Sequence, residues 1–369
     1  MNTPKNRITV LINGLHAKSG GGVTYLRNMV PLLAAREDLD VHLLLARGQN
    51  SDFAYDGATV HAIDVPGGFW RLLWREQLEV PRLARRIGAR VTFSPANFGP
   101  FWAPGGVVVL RNALQVGSLE RRPGKILYWL LLSLATALSL ARCRRAIAVS
   151  DFARQSMGRG LFGFARGRIE VVHHGVADDF SPGHPSPARE DFLLAVSDIY
   201  VQKNFPNLVR AIAPLFRDRP ELRLRVAGRA IDAEHLRRLE TLIAELGLDG
   251  RVEFLGHVAP ADLVGLYRTC RLFVFPSLVE TFGNPLVEAM ASGAPTVASN
   301  AAAMPEVLGD AADLFDPTDV AGMTAAIGGL LDDDARRAGL SSKALARAAD
   351  FSWRKTAEKT AAVIRAAAG

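Results

Sequence analysis

Pro276–Pro295 reads PSLVETFGNPLVEAMASGAP and directly follows the apolar run Leu272–Phe275. That run has the length and the aromatic, β-branched composition of a buried strand. Asn284 is placed to cap a helix with Pro285 at its first position. Gly293 ends that helix, and Pro295 opens a further strand at Thr296–Ala298. Glu280 then falls in the loop before the helix and Glu288 in its first turns, with seven residues between them. The amides of Phe282, Gly283 and Leu286 are expected to point toward the strand end. A carboxylate on either side of an amide nest suits a ligand with hydroxyls at its two ends and phosphate between, because carboxylates accept from hydroxyls and amides receive phosphate.

Outward from this segment the same alternation repeats. On its N-terminal side, strands are expected at Phe192–Val196, Leu222–Ala227 and Val252–Leu255, with helices over Asn207–Phe216 and Asp232–Leu246. Before them lies Asp178–Glu190, DDFSPGHPSPARE, whose three prolines and scarce apolar residues read as a linker. Earlier still, Ile8–Ile12, Val41–Leu45, Val91–Phe93, Val107–Leu110, Ala146–Val149 and Ile169–Val172 read as strands. Val23–Ala35, Leu72–Ile87 and Ile126–Ala141 read as helices between them. Alternation of this kind predicts parallel sheets covered by helices, here two doubly wound α/β units in succession. The expected division is residues 1–180, 181–350 and a final helical stretch 351–369. Ligands of such sheets lie at the carboxyl ends of the strands, and a cleft between two units is the expected site. Ser19-Gly20-Gly21-Gly22 sits between a strand and a helix, where glycine amides can approach an anion. It lacks the spacing of a dinucleotide fingerprint.

The 369 residues hold only two cysteines, Cys143 and Cys270, too far apart for a CxxC redox pair, a zinc finger or a secreted disulfide framework. Reduced thiols and a cytoplasmic location are expected, and Met1–Arg7 is too polar for a signal peptide. Charge is uneven. Residues 1–180 carry 23 Lys and Arg against 13 Asp and Glu; the remainder carries 21 against 24. A basic half suits a membrane surface, a phosphorylated substrate or nucleic acid. Arginine clusters without aromatic platforms or a known motif argue against nucleic acid. Ile126–Ala141, ILYWLLLSLATALSLA, is flanked by Arg121, Arg122 and Lys125 and by Arg142, Arg144 and Arg145. It is shorter than the roughly 20 residues that span a bilayer. A buried helix and an interfacial helix on anionic lipid are both open readings.

The Pro276–Pro295 segment resembles the E-x7-E signature of the retaining glycosyltransferases of family 4. Val196–Asn204, VSDIYVQKN, resembles that family's loop ending in Lys-Asn, and Phe254–Val258, FLGHV, its loop after a strand. Met304–Val307, MPEV, His174–Val176, HGV, and Gly20–Asn28 resemble further elements, in order. The resemblance implies a GT-B fold, two Rossmann-like domains facing across a cleft. It implies that Lys203 pairs with the donor diphosphate, that Glu280 contacts hydroxyls of the donor sugar and Glu288 the ribose, and that His257 and Val258 border the base. Gly21 and Gly22 would close over the diphosphate from the first domain. Implied activity is retaining hexosyl transfer from a nucleotide-diphosphate sugar, with GDP-mannose the first guess and a UDP-sugar the other. The basic first half and the Ile126–Ala141 run fit an acceptor glycan on a polyprenyl diphosphate carrier, met at the inner face of the cytoplasmic membrane.

Two departures stand out. Many relatives have arginine five residues before the lysine; here that residue is Asp198, and Arg229 is the candidate to supply the charge. Relatives also carry His-Asp after the strand ending at Leu110, where this chain has Arg111-Asn112. His16 and His174 are candidates for the missing imidazole, and His16, Arg111 and Asn112 form the expected acceptor side. No Asp-x-Asp follows a strand, and Asp332-Asp333-Asp334 reads as a solvated face, so no metal or other cofactor is expected. The rival readings are a GT-B-like sugar-nucleotide epimerase and a non-catalytic sugar-nucleotide-binding module.

Overall fold

The structure, a computed structural model, describes residues 7–17, 20–49, 55–65, 67–158, 160–183 and 187–369. Ser19 and part of the Asp178–Glu190 stretch therefore lie outside the described residues. The first half of the chain supplies strands β1 (Ile8–Asn13), β2 (Leu39–Ala46), β3 (Thr59–Ile63), β4 (Val91–Ser94), β5 (Val107–Leu110), β6 (Arg145–Ala148) and β7 (Ile169–Val171). Between them run α1 (Gly21–Ala34), α2 (Phe69–Arg86), the short α3 (Val116–Leu119), α4 (Pro123–Arg142) and α5 (Asp151–Met157). The strands form a seven-stranded parallel sheet in the order β3-β2-β1-β4-β5-β6-β7. Its central strands are buried almost throughout, as expected of a sheet covered on both faces. β3 was not expected: its sequence TVHAI is mostly exposed at the sheet edge and carries little apolar signal.

The second half supplies β8 (Glu190–Val196), α6 (Phe205–Arg217), β9 (Arg223–Ala227), α7 (Ala233–Glu245), β10 (Val252–Gly256), α8 (Pro260–Thr269), β11 (Cys270–Phe275), α9 (Asn284–Ala291), β12 (Thr296–Ser299), α10 (Met304–Leu308), β13 (Asp313–Phe315), α11 (Val320–Leu331), α12 (Asp334–Ala348) and α13 (Trp353–Ala368). Its six strands are also parallel, in the order β10-β9-β8-β11-β12-β13. The core of this sheet is aliphatic and aromatic, with Leu193, Phe205, Ile212, Leu224, Leu272 and Val274 fully or nearly fully buried. Helix starts follow capping chemistry: Asp232, Asp319, Asp333 and Ser352 each accept from a backbone amide in the first turn of α7, α11, α12 and α13. The acidic run is thereby explained, since Asp333 caps α12 and Asp332 pairs with Arg219.

Two compact units result. One comprises Met1–Leu114, Pro123–Gly175 and Ser352–Gly369; the other comprises Gln115–Arg122 and Val176–Phe351. The division thus falls at Gly175 rather than at Phe180, and a piece of the first half belongs to the second unit. That piece is held by Glu120, which is buried and accepts from Arg122 and from the Tyr200 hydroxyl at 3.1 Å. Arg122 also binds Asp232 at 2.6 Å. Its guanidinium is the main reason that the carboxyls of Glu120 and Asp232 are both held down at about 2.

In the first unit, Trp353 of α13 packs edge-on to Tyr25 and stacks on His174. Arg90 and Arg144 donate to the last carbonyls of α13, satisfying acceptors that a helix end leaves unpaired. His174 is 5% exposed in this cluster, packed between Tyr25 and Trp353.

Candidate active site

In a parallel sheet the strand order reverses at one point, and the loops leaving the two strands there diverge to opposite faces and open a crevice. In the second unit that point lies between β8 and β11. The loop after β8 carries Lys203 in a 3₁₀ turn, Val201–Lys203, and the loop after β11 carries Glu280. The two side chains meet there, Lys203 Nζ lying 2.5 Å from Glu280 Oε1, each side chain 16% exposed. The Lys203 ammonium also lies 5.8 Å from the centre of the Phe275 ring.

The neighbouring asparagine is what locks the two loops together. Asn204 takes φ 57°, a left-handed conformation that asparagine tolerates. Its Nδ2 donates to Pro276 O at 3.1 Å and to Pro317 O at 2.8 Å. The Leu278 amide donates back to Gln202 O at 2.8 Å. On the far side Tyr200 of the same loop is bonded to Glu120. Lys203 is thus presented from a backbone fixed on both sides.

Glu288 lies in the second turn of α9, where it accepts from the Tyr267 hydroxyl of α8 at 3.1 Å. Burial pushes its carboxyl up to about 7, with the Tyr267 hydrogen bond opposing the rise. Burial and the Glu288 carboxylate together push the Tyr267 hydroxyl well above its ordinary value. Groups perturbed in this way cluster at functional sites, though structural networks shift them too.

The helix start differs from expectation. Gly283, at φ 88°, caps α9, and Asn284 is its first helical residue without a side-chain cap. Only a residue without Cβ enters a helix cheaply through this conformation, and a Cβ there would stand 3.0 Å from Leu286 Cδ1. The Leu286 amide is bonded to Gly283 O at 2.9 Å, so it does not belong to the expected amide nest. Phe282 is 2% exposed, its ring edge-on to Phe351.

The two residues expected to border the base follow β10: His257 is exposed and Val258 half-buried. Arg229, after β9, donates to Asp198 through its guanidinium at 3.1 Å and its amide at 2.9 Å. The cation expected to stand in for a missing arginine is thus paired with the carboxylate found at that position.

In the first unit, Gly21 opens α1 and Gly22 is buried in its first turn. A Cβ on Gly22 would stand 3.1 Å from Ala17 Cα and 3.4 Å from Arg111 Nη2, so the helix start and the Arg111 guanidinium approach closely. Burial holds the Arg111 pKa below its ordinary value. The Arg111 and Asn112 amides both donate to Asn97 Oδ1 at 2.9 Å. His16, Arg111 and Asn112 line one cavity of about 400 Å³ within this unit. Glu76, which no sequence pattern marked, bonds His16 behind it at 3.0 Å.

Among the described residues no group of three or more His, Cys, Asp or Glu is placed to hold a metal ion. Helix α4 is 20 residues long and apolar enough, by length and composition, to cross a membrane, and only Leu132, Thr136, Ser139 and Leu140 in it are buried. The buried-helix reading is corrected: Ile126, Leu127, Leu130, Leu134 and Leu138 form an exposed apolar stripe at helical spacing. Several flanking cations are engaged elsewhere, Arg122 with Glu120 and Asp232 and Arg144 at the end of α13, while Arg142 lies over the exposed Trp102 ring.

Comparison with known proteins bears on this arrangement. The sequence model for the family Glycosyl transferases group 1 matches residues 177–347, and that for Glycosyltransferase Family 4 matches residues 19–180. The chain is 33% identical over 235 residues to O-antigen chain mannosyltransferase B of Escherichia coli, covering 60% of each protein. It is 37% identical over 169 residues to the serotype-specific mannosyltransferase WbdA of Escherichia coli, covering 46% of this chain and 21% of that one. The chain therefore spans less than two thirds of the length of these relatives. Sucrose-phosphate synthase from Thermosynechococcus elongatus superposes with a TM-score of 0.81 at 20% identity, over 97% of this chain and 98% of that one. That likeness establishes the fold as GT-B, with two Rossmann-like units.

Proposed function

We propose that this chain, which belongs to glycosyltransferase family 4, transfers a hexose from a nucleotide-diphosphate sugar to a glycan acceptor in cell-surface polysaccharide biosynthesis. The observation that carries the reading is the Lys203–Glu280 pair at the switch point of the six-stranded sheet. As the sugar–phosphate bond breaks, negative charge grows on the leaving diphosphate and the sugar becomes oxocarbenium-like. A fixed ammonium stabilises the first, and a carboxylate one hydrogen bond away holds the sugar hydroxyls. Glu288 serves the ribose. The configuration at the anomeric carbon is retained by return of the acceptor to the face the diphosphate leaves. Mannose is the favoured hexose because the two Escherichia coli relatives described above carry mannosyltransferase names.

The donor is tested by thermal shift against UDP-, GDP- and ADP-hexoses. One of them at 100 times its dissociation constant is expected to add ~2.7 kcal/mol of stability. Release of the diphosphate from that donor, assayed in excess EDTA, is expected to proceed at full rate, since Lys203 does the work that a divalent ion does elsewhere. Absence of any shift rejects the donor reading, and loss of activity that Mg²⁺ restores rejects metal independence.

The acceptor is proposed to be lipid-linked, on a polyprenyl diphosphate, and the chain to rest peripherally on the anionic cytoplasmic face of a membrane. What supports this is the exposed stripe of α4 with Lys125 and Arg142 at its two ends and the exposed Trp102 beside it. Apolar side chains flanked by cations suit insertion at a charged lipid surface. In liposome flotation the chain is expected to rise with vesicles containing anionic lipid, and Leu130→Asp with Leu134→Asp to abolish it. Failure of the unaltered chain to float with either neutral or anionic vesicles would leave a soluble acceptor.

A further inference from the structure

Helix α2 buries one stripe against the first unit: Leu72, Val80 and Ala84 are at most 3% exposed. Glu76 occupies the same stripe, one turn from Leu72 and one from Val80, and is fully buried. A carboxylate in such a position is expensive to take out of water. Its presence calls for a role that leucine could not fill.

The oxygens of Glu76 have defined partners. Oε1 accepts from Asn13 Nδ2, at the carboxyl end of β1, and Oε2 lies 3.0 Å from His16 Nε2. Asn13 is itself buried and reaches Ser94 at the end of β4. With Nε2–H donating to the carboxylate, a neutral His16 carries its lone pair on Nδ1. The ring is further held edge-on to Phe98, with centroids 4.8 Å apart. Tautomer and orientation are thus both set from behind.

What lies in front is the cavity of about 400 Å³, within the ~300–1,000 Å³ usual for small-molecule sites. It opens where β1 and β4 diverge, the switch point of the seven-stranded sheet. Its lining is mixed, polar at His16, Arg111 and Asn112 and apolar at Phe98, Tyr128 and Leu132. A pyranose has the same mixed character, with hydroxyls at its rim and C–H groups on its faces. Tyr128 and Leu132 come from the helix whose outer stripe is exposed.

Resting on the transferase reading above and on its expected acceptor side at this cavity, we infer that Glu76 is a positioning residue, fixing His16 to accept from an acceptor hydroxyl. The experiment uses the donor identified by thermal shift and three probe acceptors, the p-nitrophenyl α-glycosides of mannose, glucose and galactose. The quantity read is the ratio of glycoside transfer to donor hydrolysis. Glu76→Leu leaves the buried Asn13 amide without its acceptor, so it is expected to fold with a lowered melting temperature, which the ratio, taken within one sample, does not register. Its ratio should fall about 10- to 100-fold, the worth of one charge-assisted hydrogen bond. His16→Ala should fall similarly, and the double variant no further than either alone, because the two residues act as one unit. A Glu76→Leu chain with the ratio of the unaltered protein, or additive losses in the double variant, overturns the inference alone. So does an unaltered chain that hydrolyses donor but glycosylates none of the three probes. An unaltered chain that binds and hydrolyses no sugar nucleotide overturns the transferase reading, and this inference with it.

Discussion

Lys203→Ala is expected to lower the rate of hexosyl transfer about 10²–10³-fold while the chain stays folded. The magnitude is that of removing one preorganised electrostatic donor from a developing anion. The ammonium is held rigidly enough to count as such a donor, because Asn204 and Leu278 pin its loop to the loop after β11. Folding should survive because Glu280, left without its partner, keeps some access to water, as does Lys203 itself. Lys203→Arg keeps the charge but not the compact point geometry, and partial activity is expected of it. The measurement is an initial-rate comparison at saturating donor beside a melting curve for each variant. Turnover by Lys203→Ala within a few-fold of the unaltered chain would remove the lysine from the mechanism.

Glu288→Gln is expected to stabilise the second unit by about 3 kcal/mol at pH 8 and by almost nothing near pH 4. The carboxyl titrates near 4.5 in the unfolded chain and, through burial, at about 7 in the folded one. At ~1.4 kcal/mol for each unit of difference, this gives the size quoted. The sign follows from proton counts. Between the two values the folded chain keeps a proton that the unfolded chain has lost, so raising the pH favours unfolding. Below 4.5 both states are protonated and the term is fully favourable; above about 7 both are ionised and the cost is complete. Glutamine does not titrate and can still accept from Tyr267. Denaturant unfolding of both chains across this window tests the claim, and parallel stability–pH curves for the two would refute it. A donor that recognises Glu288 through ribose hydroxyls would bind the variant more weakly, so the added stability should come with lost affinity.

Some of the site was legible because its chemistry is compact in sequence. Glu280, Gly283 and Glu288 lie within one strand–loop–helix unit, where local spacing decides what each residue can do. Lys203 was legible through a short string after another strand. Glu76 was not, because on an amphipathic helix rich in arginine and glutamate one more acid reads as a solvated residue; only packing puts it on the buried stripe. The Arg229–Asp198 pair was hidden for a similar reason. Each residue ends a different strand, and their adjacency follows from β8 and β9 being neighbours in the sheet. The missed strands β3 and β13 are an exposed edge and a three-residue segment, too weakly patterned to rise above their surroundings.

By itself the sequence determined the alternation of strands and helices and the two-unit α/β plan, while its resemblance to family 4 singled out Glu280, Glu288 and Lys203. The first two are properties of hydrophobic period and loop chemistry, which act over a few residues and are written locally. Only the tertiary structure decided which of those residues meet. Lys203 and Glu280 are 77 positions apart and His16 and Glu76 are 60 apart, and each pair is joined at a reversal of strand order. It also decided that the apolar helix α4 turns its leucines outward. The physical reason is common to all three: a parallel sheet brings distant chain ends to one edge, and burial is set by what packs against a residue, not by its neighbours in the chain.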